Sequence, residues 1–362
     1  MKITGIIAEY NPFHNGHIHH INKTKEITGC DLLICTMSGH FVQRGEPAIT
    51  TKWERAKTAV ENGVDLVLEL PFVYAAQSAA YFAKGAVDVL KLAGVDSICF
   101  GSESNNLEIL EQLAELDVNL SDAMKGGLSP VQAYEILYGS LNANDILALN
   151  YIRALQGSGI RPYSIQRTNH YHELDTSKQI ASATAIRYAI KNQLDIKHAT
   201  CMEITDPIFL EDYYRYFQTV LLTMDSSALP SYFMMDEGIE NLLIKHARLP
   251  EFEDFISAVT SRRYTRSKIQ RTMLHLMMQT KKADIDNLPP LNYLRVLACN
   301  EKGRAHLKAL KEQGVLIASK FTQIPEAYRT IEYKSSVLYG YPCSDEKRQQ
   351  ILDRELKAPV IL

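Results

Sequence analysis

Two hydrophobic rhythms alternate along the first half of the chain. Ile3–Ala8 is a short unbroken apolar run closed by Asn11-Pro12, the pattern of a buried strand. Asp31–Met37, Asp65–Leu70, Ser97–Phe100 and Tyr163–Arg167 read the same way. Between them the apolar spacing becomes helical: after His14, from Thr51-Lys52-Trp53-Glu54 (a capping box) to about Asn62, over Ala79–Leu92, and from Asn144-Asp145-Ile146-Leu147. Strands alternating with helices predict an α/β fold with a doubly wound, parallel, Rossmann-like sheet over residues 1–200. From about Thr200 the pattern changes. Pro207–Leu222, Ile239–Ala247, Phe252–Val259 and Ser267–Met278 have helical periodicity, and Leu291–Ala298 and Ala305–Gln313 suggest two more helices. Val315–Ser319 and Thr330–Tyr341 read as short strands, so residues 201–362 form a mainly helical second domain.

Composition narrows the class. The chain of 362 residues is 46% hydrophobic and 22% charged, which suits a folded globular protein of two domains rather than a disordered one. A formal charge of −3 provides no general field for nucleic acid, so any such contact must come from a local patch. The apolar runs are too short to span a bilayer. Six scattered cysteines with no leader peptide ahead of them read as reduced thiols in a cytoplasmic protein.

The densest chemistry is Ile6–His20, IIAEYNPFHNGHIHH. A strand passing through a tight turn into a helix N-terminus aims backbone N–H groups and the positive dipole end at one point, which suits a phosphate. His14 and His17 are three apart and fall on one face of the first turn. Gly16 between them lets a phosphate approach the backbone. The imidazoles can hydrogen-bond, or if protonated neutralise, charge developing on an attacked α-phosphate, so His14 and His17 are the catalytic candidates. The plainer reading is a capping turn with solvated histidines. Zinc is not expected, because Cys30 and Cys35 lack finger-like spacing to this His cluster.

Ser38–Thr51 is a long connection leaving the carboxyl end of a strand, and it is a candidate lid. Its Arg44 reaches a phosphate or lies on the surface. Gly101 marks either close approach to a ligand or an ordinary turn. In Ile180–Arg187, Ser182 and Thr184 sit at a second helix N-terminus, with Arg187 one turn on; alone this is a plausible cap. Arg262, Arg263, Arg266, Lys268 and Arg271 cluster with Tyr264. Such a run tracks a nucleic-acid backbone with an aromatic free to stack, although a solvated helix face is the usual source of a charge run.

In this order, EYNPFHNGH, MSGHFVQRGEPA, GVDLVLELPF, CFGSE, the NDIL segment and SATAIR resemble the tRNA(Met) cytidine acetate ligase family, within the HxGH nucleotidyltransferases. The likeness is dense over the first ~200 residues and looser beyond. It implies activation of acetate by ATP, accompanied by Mg²⁺, to acetyl-adenylate and pyrophosphate, and acetylation of N4 of the wobble cytidine of elongator tRNA(Met). It also implies ATP contacts at Ile7, Ala8, Glu9, Tyr10, Asn11, Pro12, Phe13, His14, Asn15, Gly16, His17, Ile18, His19 and His20, and at Gly101, Asn144, Arg167, Ser182, Thr184 and Arg187. The stretch between Leu116 and Asn144 is short for that family, which leaves in doubt any contact housed there. Two other functions fit the residues: adenylyl transfer to a small phosphorylated metabolite, or a non-catalytic nucleotide-binding RNA adaptor. The residues single out no base for the amine attack.

Overall fold

The structure, a computed structural model, describes residues 1–115, 141–167 and 180–362. Most of the short stretch ahead of Asn144 (116–140) therefore lies outside the described residues.

The chain opens with β1 (Ile3–Ala8), α1 (Asn15–Thr28), β2 (Leu32–Ser38), α2 (Lys52–Glu61) and β3 (Leu66–Leu70). A short α3 (Phe72–Ala75) and α4 (Ala79–Leu92) lead to β4 (Ser97–Ser102), then α5 (Leu107–Glu115), α6 (Ala143–Leu155) and β5 (Arg161–Gln166). α7 (Ala183–Lys191) follows. A run of helices comes next: α8 (Tyr214–Thr223), α9 (Ile239–His246), α10 (Phe252–Val259), α11 (Arg266–Met277) and α12 (Lys282–Asp286). The chain then returns to the sheet with β6 (Tyr293–Cys299), α13 (Glu301–Glu312), β7 (Leu316–Ala318), α14 (Glu326–Tyr339), α15 (Asp345–Leu356) and β8 (Val360–Ile361).

Among the described residues the sheet has eight strands in the order β5-β4-β1-β2-β3-β6-β7, with β8 also on β6. β1 to β5 pair in parallel, as the alternating pattern predicts, while β6 runs antiparallel to β3. Every residue of β2, β3 and β6 is buried, as expected of strands covered on both faces. One apolar layer joins the sheet to α4 and α6; a second lies beneath α1 and α2; a third fills the interior of the helical part. The strand order reverses between β1 and β4, and open α/β sheets bind ligands outside that reversal.

Two predicted elements are corrected. Leu291–Ala298 holds strand β6 rather than a helix, because its unbroken apolar run is an interior strand beside β3. Thr330–Tyr341 lies mostly within helix α14, not in short strands. There Tyr328, Ile331, Ser335, Leu338 and Tyr339 form the buried face at helical spacing.

Candidate active site

β1 ends at Ala8, and the chain turns sharply through a left-handed Tyr10 (φ 50°) and the cis Asn11-Pro12 bond. Tyr10 and Phe13 bury their rings edge-to-face beneath the turn, 4.8 Å between centroids. The Asn11 side-chain oxygen accepts the Ile49 N–H at 2.8 Å, tying the turn to the loop beyond β2. This delivers His14 as the N-cap of α1.

The cap is built from imidazoles. His14 Nδ1 accepts the N–H of Gly16 at 3.1 Å, while the N–H of His14 donates to His17 Nδ1 at 3.1 Å. The two rings lie 3.8 Å apart on one side of the first turn, as their spacing predicts. Because each Nδ1 is an acceptor, the proton of each neutral ring sits on Nε2. Burial, reinforced by Arg167 and Arg187, lowers the His14 pKa to about 3. Burial and then His14 itself hold His17 well below its ordinary value. The pair therefore presents neutral N–H donors rather than imidazolium charge to the cavity, and the fixed positive charge there comes from arginine. Gly16 lines the cavity, and the structure adds a second reason for its missing side chain. A Cβ there would stand 2.8 Å from His14 Cε1, so the missing side chain makes room for the folded-back ring.

A cavity of about 700 Å³ opens in front of these rings, at the carboxyl ends of β1 and β4, within the size range of small-molecule sites. Of the positions expected along Ile7–His20, all line it except Pro12, Phe13, Asn15 and Ile18. Phe13 is enclosed in the core and Ile18 packs against it. Asn15 turns to the 198–199 segment, donating from its N–H to Ala199 O at 3.0 Å and from its side chain to His198 O at 2.9 Å.

Gly101, Asn144, Arg167, Ser182, Thr184 and Arg187 all reach the same cavity. A Cβ on Gly101 would approach Arg167 Cγ at 3.2 Å, and Arg167 Nη1 donates to Asn144 Oδ1 at 3.4 Å. Ser182 caps α7, its hydroxyl accepting the Ala185 N–H at 3.1 Å. Arg187 donates from Nη1 to Asn11 O at 2.8 Å, with Glu46 3.5 Å from Nη2. Ser78, Phe82 and Tyr151 also line the site and were not anticipated. Tyr151 had a readable signal: Asn144, Leu147 and Tyr151 recur at i, i+3 and i+7 along one face of α6.

The Ser38–Thr51 connection, the candidate lid, is packed here as a wall of the site. Phe41, Val42, Ala48 and Ile49 are buried, and Phe41 bridges to Pro47. The enclosed Arg55 guanidinium donates to the carbonyls of Ser38, Gly39 and Thr50 and to that of Glu9. Gly45 (φ 79°) lies so close to α11 that a Cβ would strike the backbone of Arg271. Gln43, Arg44 and Glu46 face the cavity from this wall, which places Arg44 at the site.

The basic run is only partly brought to the site. Arg271 is buried, lines the cavity and donates to Gln43 O at 3.0 Å. Arg266 grips Glu253 with two 2.7 Å hydrogen bonds, and Arg263 pairs with Glu237 at 3.0 Å. Lys268 lies 3.9 Å from Asp236, and Arg262 is exposed. Tyr264 is not free to stack: its ring is buried and its hydroxyl donates to Glu237 O at 2.7 Å. Among the described residues no group of three His, Cys, Asp or Glu is placed to hold a metal ion, and no helix is long and apolar enough to cross a membrane.

A parallel α/β sheet whose first turn presents an HxGH imidazole pair to a cavity at the strand reversal defines a nucleotide-binding protein of the nucleotidyltransferase class. The HIGH Nucleotidyl Transferase family matches residues 1–354. The chain is 36% identical to the tRNA(Met) cytidine acetate ligase of Anoxybacillus flavithermus, over 99% of both chains. It is 32% identical to the Bacillus subtilis protein of the same name, over 97% of this chain and 94% of that one. Two crystal structures of Thermotoga maritima TmcAL superpose over 100% of both chains. The apo form gives a TM-score of 0.90 at 28% identity, and the form bound to alpha-thio ATP 0.87 at 29%. The chain belongs to the HIGH nucleotidyltransferases and, within them, to the tRNA(Met) cytidine acetate ligase family.

Proposed function

We propose that this protein, in the cytoplasm, joins acetate to ATP, releasing pyrophosphate, and passes the acetyl group from the adenylate to N4 of the wobble cytidine of elongator tRNA(Met). The observation that carries this reading is the reciprocally capped, neutral His14–His17 pair facing a nucleotide-sized cavity flanked by Arg44, Arg167 and Arg187. The relatives' names and the ATP-analogue complex of the Thermotoga maritima protein support it.

Acetate is a weak nucleophile approaching a polyanion. The chain must therefore neutralise phosphate charge and hold the reacting oxygens in line. The Nε2–H groups of His14 and His17 suit the α-phosphate oxygens, where charge develops as pyrophosphate departs. The arginines and the Ser182–Thr184 helix start suit the remaining phosphates. Among the described residues no group of three His, Cys, Asp or Glu is placed to hold a metal ion; Mg²⁺ is proposed to arrive as the counterion of the nucleotide's phosphates. The mixed anhydride must be kept from water, and the wall over residues 38–51, pinned by Arg55, covers that side of the cavity. The cytidine enters splayed from its loop, as single-stranded RNA bases do.

The test is acetate-dependent exchange of labelled pyrophosphate into ATP, followed by identification of the labelled nucleoside after incubation with labelled acetate and mixed tRNA. His17→Ala is expected to slow exchange about 10²–10³-fold. His14→Ala does the same and also costs about 1 kcal/mol of stability, read from denaturant midpoints, because it removes a helix cap. Exchange that ignores acetate would point to a phosphorylated acceptor. Unchanged rates in both variants would point to a nucleotide-binding adaptor.

A further inference from the structure

Glu9 is out of place in a site for polyanions. It follows the last residue of β1 and lines the cavity beside His14, His17, Arg44 and Arg187. Its position is held from two sides. The Gln43 N–H donates to Oε1 at 2.6 Å, the one hydrogen bond to this carboxylate among the described residues, and Arg55 donates to the Glu9 backbone carbonyl at 2.5 Å. Glu46, the other carboxylate lining the cavity, has Arg187 3.5 Å away as a partner.

The phosphates of ATP and the acetate are anions, so neither gains from a carboxylate at this point. The adenine amine and ribose hydroxyls of ATP and the exocyclic amine of the cytidine can each donate to a carboxylate, but of these only the cytidine amine must lose a proton in the reaction. We propose that Glu9 is the general base of acetyl transfer, an inference that rests on the function proposed above. The amine lone pair forms a bond to the acetyl carbonyl carbon. The bond from that carbon to the AMP phosphate oxygen breaks, and AMP leaves with the electron pair. The proton on the attacking nitrogen passes to the Glu9 carboxylate and then to solvent.

The surroundings suit the task. Burial raises the Glu9 pKa, countered by the Gln43 N–H and by Arg44 and Arg187, with Glu46 adding to the rise. A carboxylate shifted toward neutral pH is a stronger base than an exposed one. The charged and titratable groups facing it are Arg44 and Glu46 from the wall, Arg187 from α7, the buried Tyr151 from α6, Arg55 from α2, and His14 and His17 at the start of α1.

The full-length Glu9→Gln protein tests this, since an amide oxygen still accepts the Gln43 N–H. Two rates are read: acetate-dependent ATP–pyrophosphate exchange, and single-turnover transfer from preformed acetyl-adenylate to tRNA. Transfer is expected to fall at least ~10²-fold further than exchange does. The acidic limb of the wild-type transfer profile is expected to vanish in Glu9→Gln and to persist, at a lower rate, in Glu9→Asp. Equal losses in both rates, or exchange restored by added Mg²⁺, would overturn the proposal and make Glu9 a nucleotide or metal holder. Undiminished transfer would overturn it too. A wild-type protein that shows no acetate-dependent exchange would instead sink the function on which it rests.

Discussion

Two charged regions of this chain behave in opposite ways. Behind β3, Lys52 Nζ is 2.7 Å from both Glu69 and Glu355, His40 Nε2 is 3.0 Å from Glu355, and Arg295 lies 3.9 Å from it. All these side chains are buried. At the cavity, by contrast, Arg187 donates to a neutral backbone carbonyl, with its carboxylate 3.5 Å away, and Arg167 reaches an amide oxygen at 3.4 Å. The first region closes its charges on themselves and fastens α14 and α15 to β3 and α2. The second places fixed cations around a space with room for a polyanion. Charge alone did not distinguish them; the partners did.

The largest break in this contrast should come from Lys52→Met. Removing the shared cation leaves Glu69 and Glu355 buried and facing each other, and about 3–5 kcal/mol of stability should be lost in urea unfolding. At the cavity the expected loss is of rate rather than fold. Arg187→Ala should cut acetate-dependent exchange about 10²-fold, near 2.7 kcal/mol of transition-state stabilisation, with a far smaller shift in the denaturant midpoint.

The smallest effect sharpens the first region. Burial, then Glu69, raises Glu332 to about 8, so it is protonated at neutral pH and Lys52 and Arg295 face only Glu69 and Glu355 as anions. A raised carboxyl contributes stability that is complete below its unfolded pKa, near 4.3, and is lost as pH rises through about 8. Glu332→Gln keeps an oxygen for the Phe72 N–H, accepted now at 2.7 Å, but cannot ionise. Relative to wild type it should therefore gain up to about 1.4 kcal/mol per pH unit between pH 6.5 and 7.5. Parallel stability curves would show that Glu332 is already charged.

Much of the site was legible because its signals are local. Pro12, Gly16 and the two histidines punctuate one strand–turn–helix unit, and Ser182 heads another. What escaped was tertiary. β6, YLRVLAC, is buried at every position, so it carries no alternation to separate it from a buried helix. Its Arg295 finds Glu355, which is distant in sequence. α14 misleads through Tyr328, Ile331, Tyr333, Val337 and Tyr339, residue types that favour strands, although Pro325 at its N-cap marked a helix start. Glu9 was readable as a motif member but not as a base, because the Gln43 N–H and the surrounding arginines come from elsewhere in the chain.

The antiparallel seam between β3 and β6 has a practical consequence. Were the polypeptide severed after residue 200, Leu66, Val67 and Leu68 would lose the pairing that Cys299, Ala298 and Val296 supply. A bare apolar border of that kind recruits strands from other molecules. Grafting or expressing the ATP-handling half by itself should thus yield self-association, unless the returning ribbon is carried along.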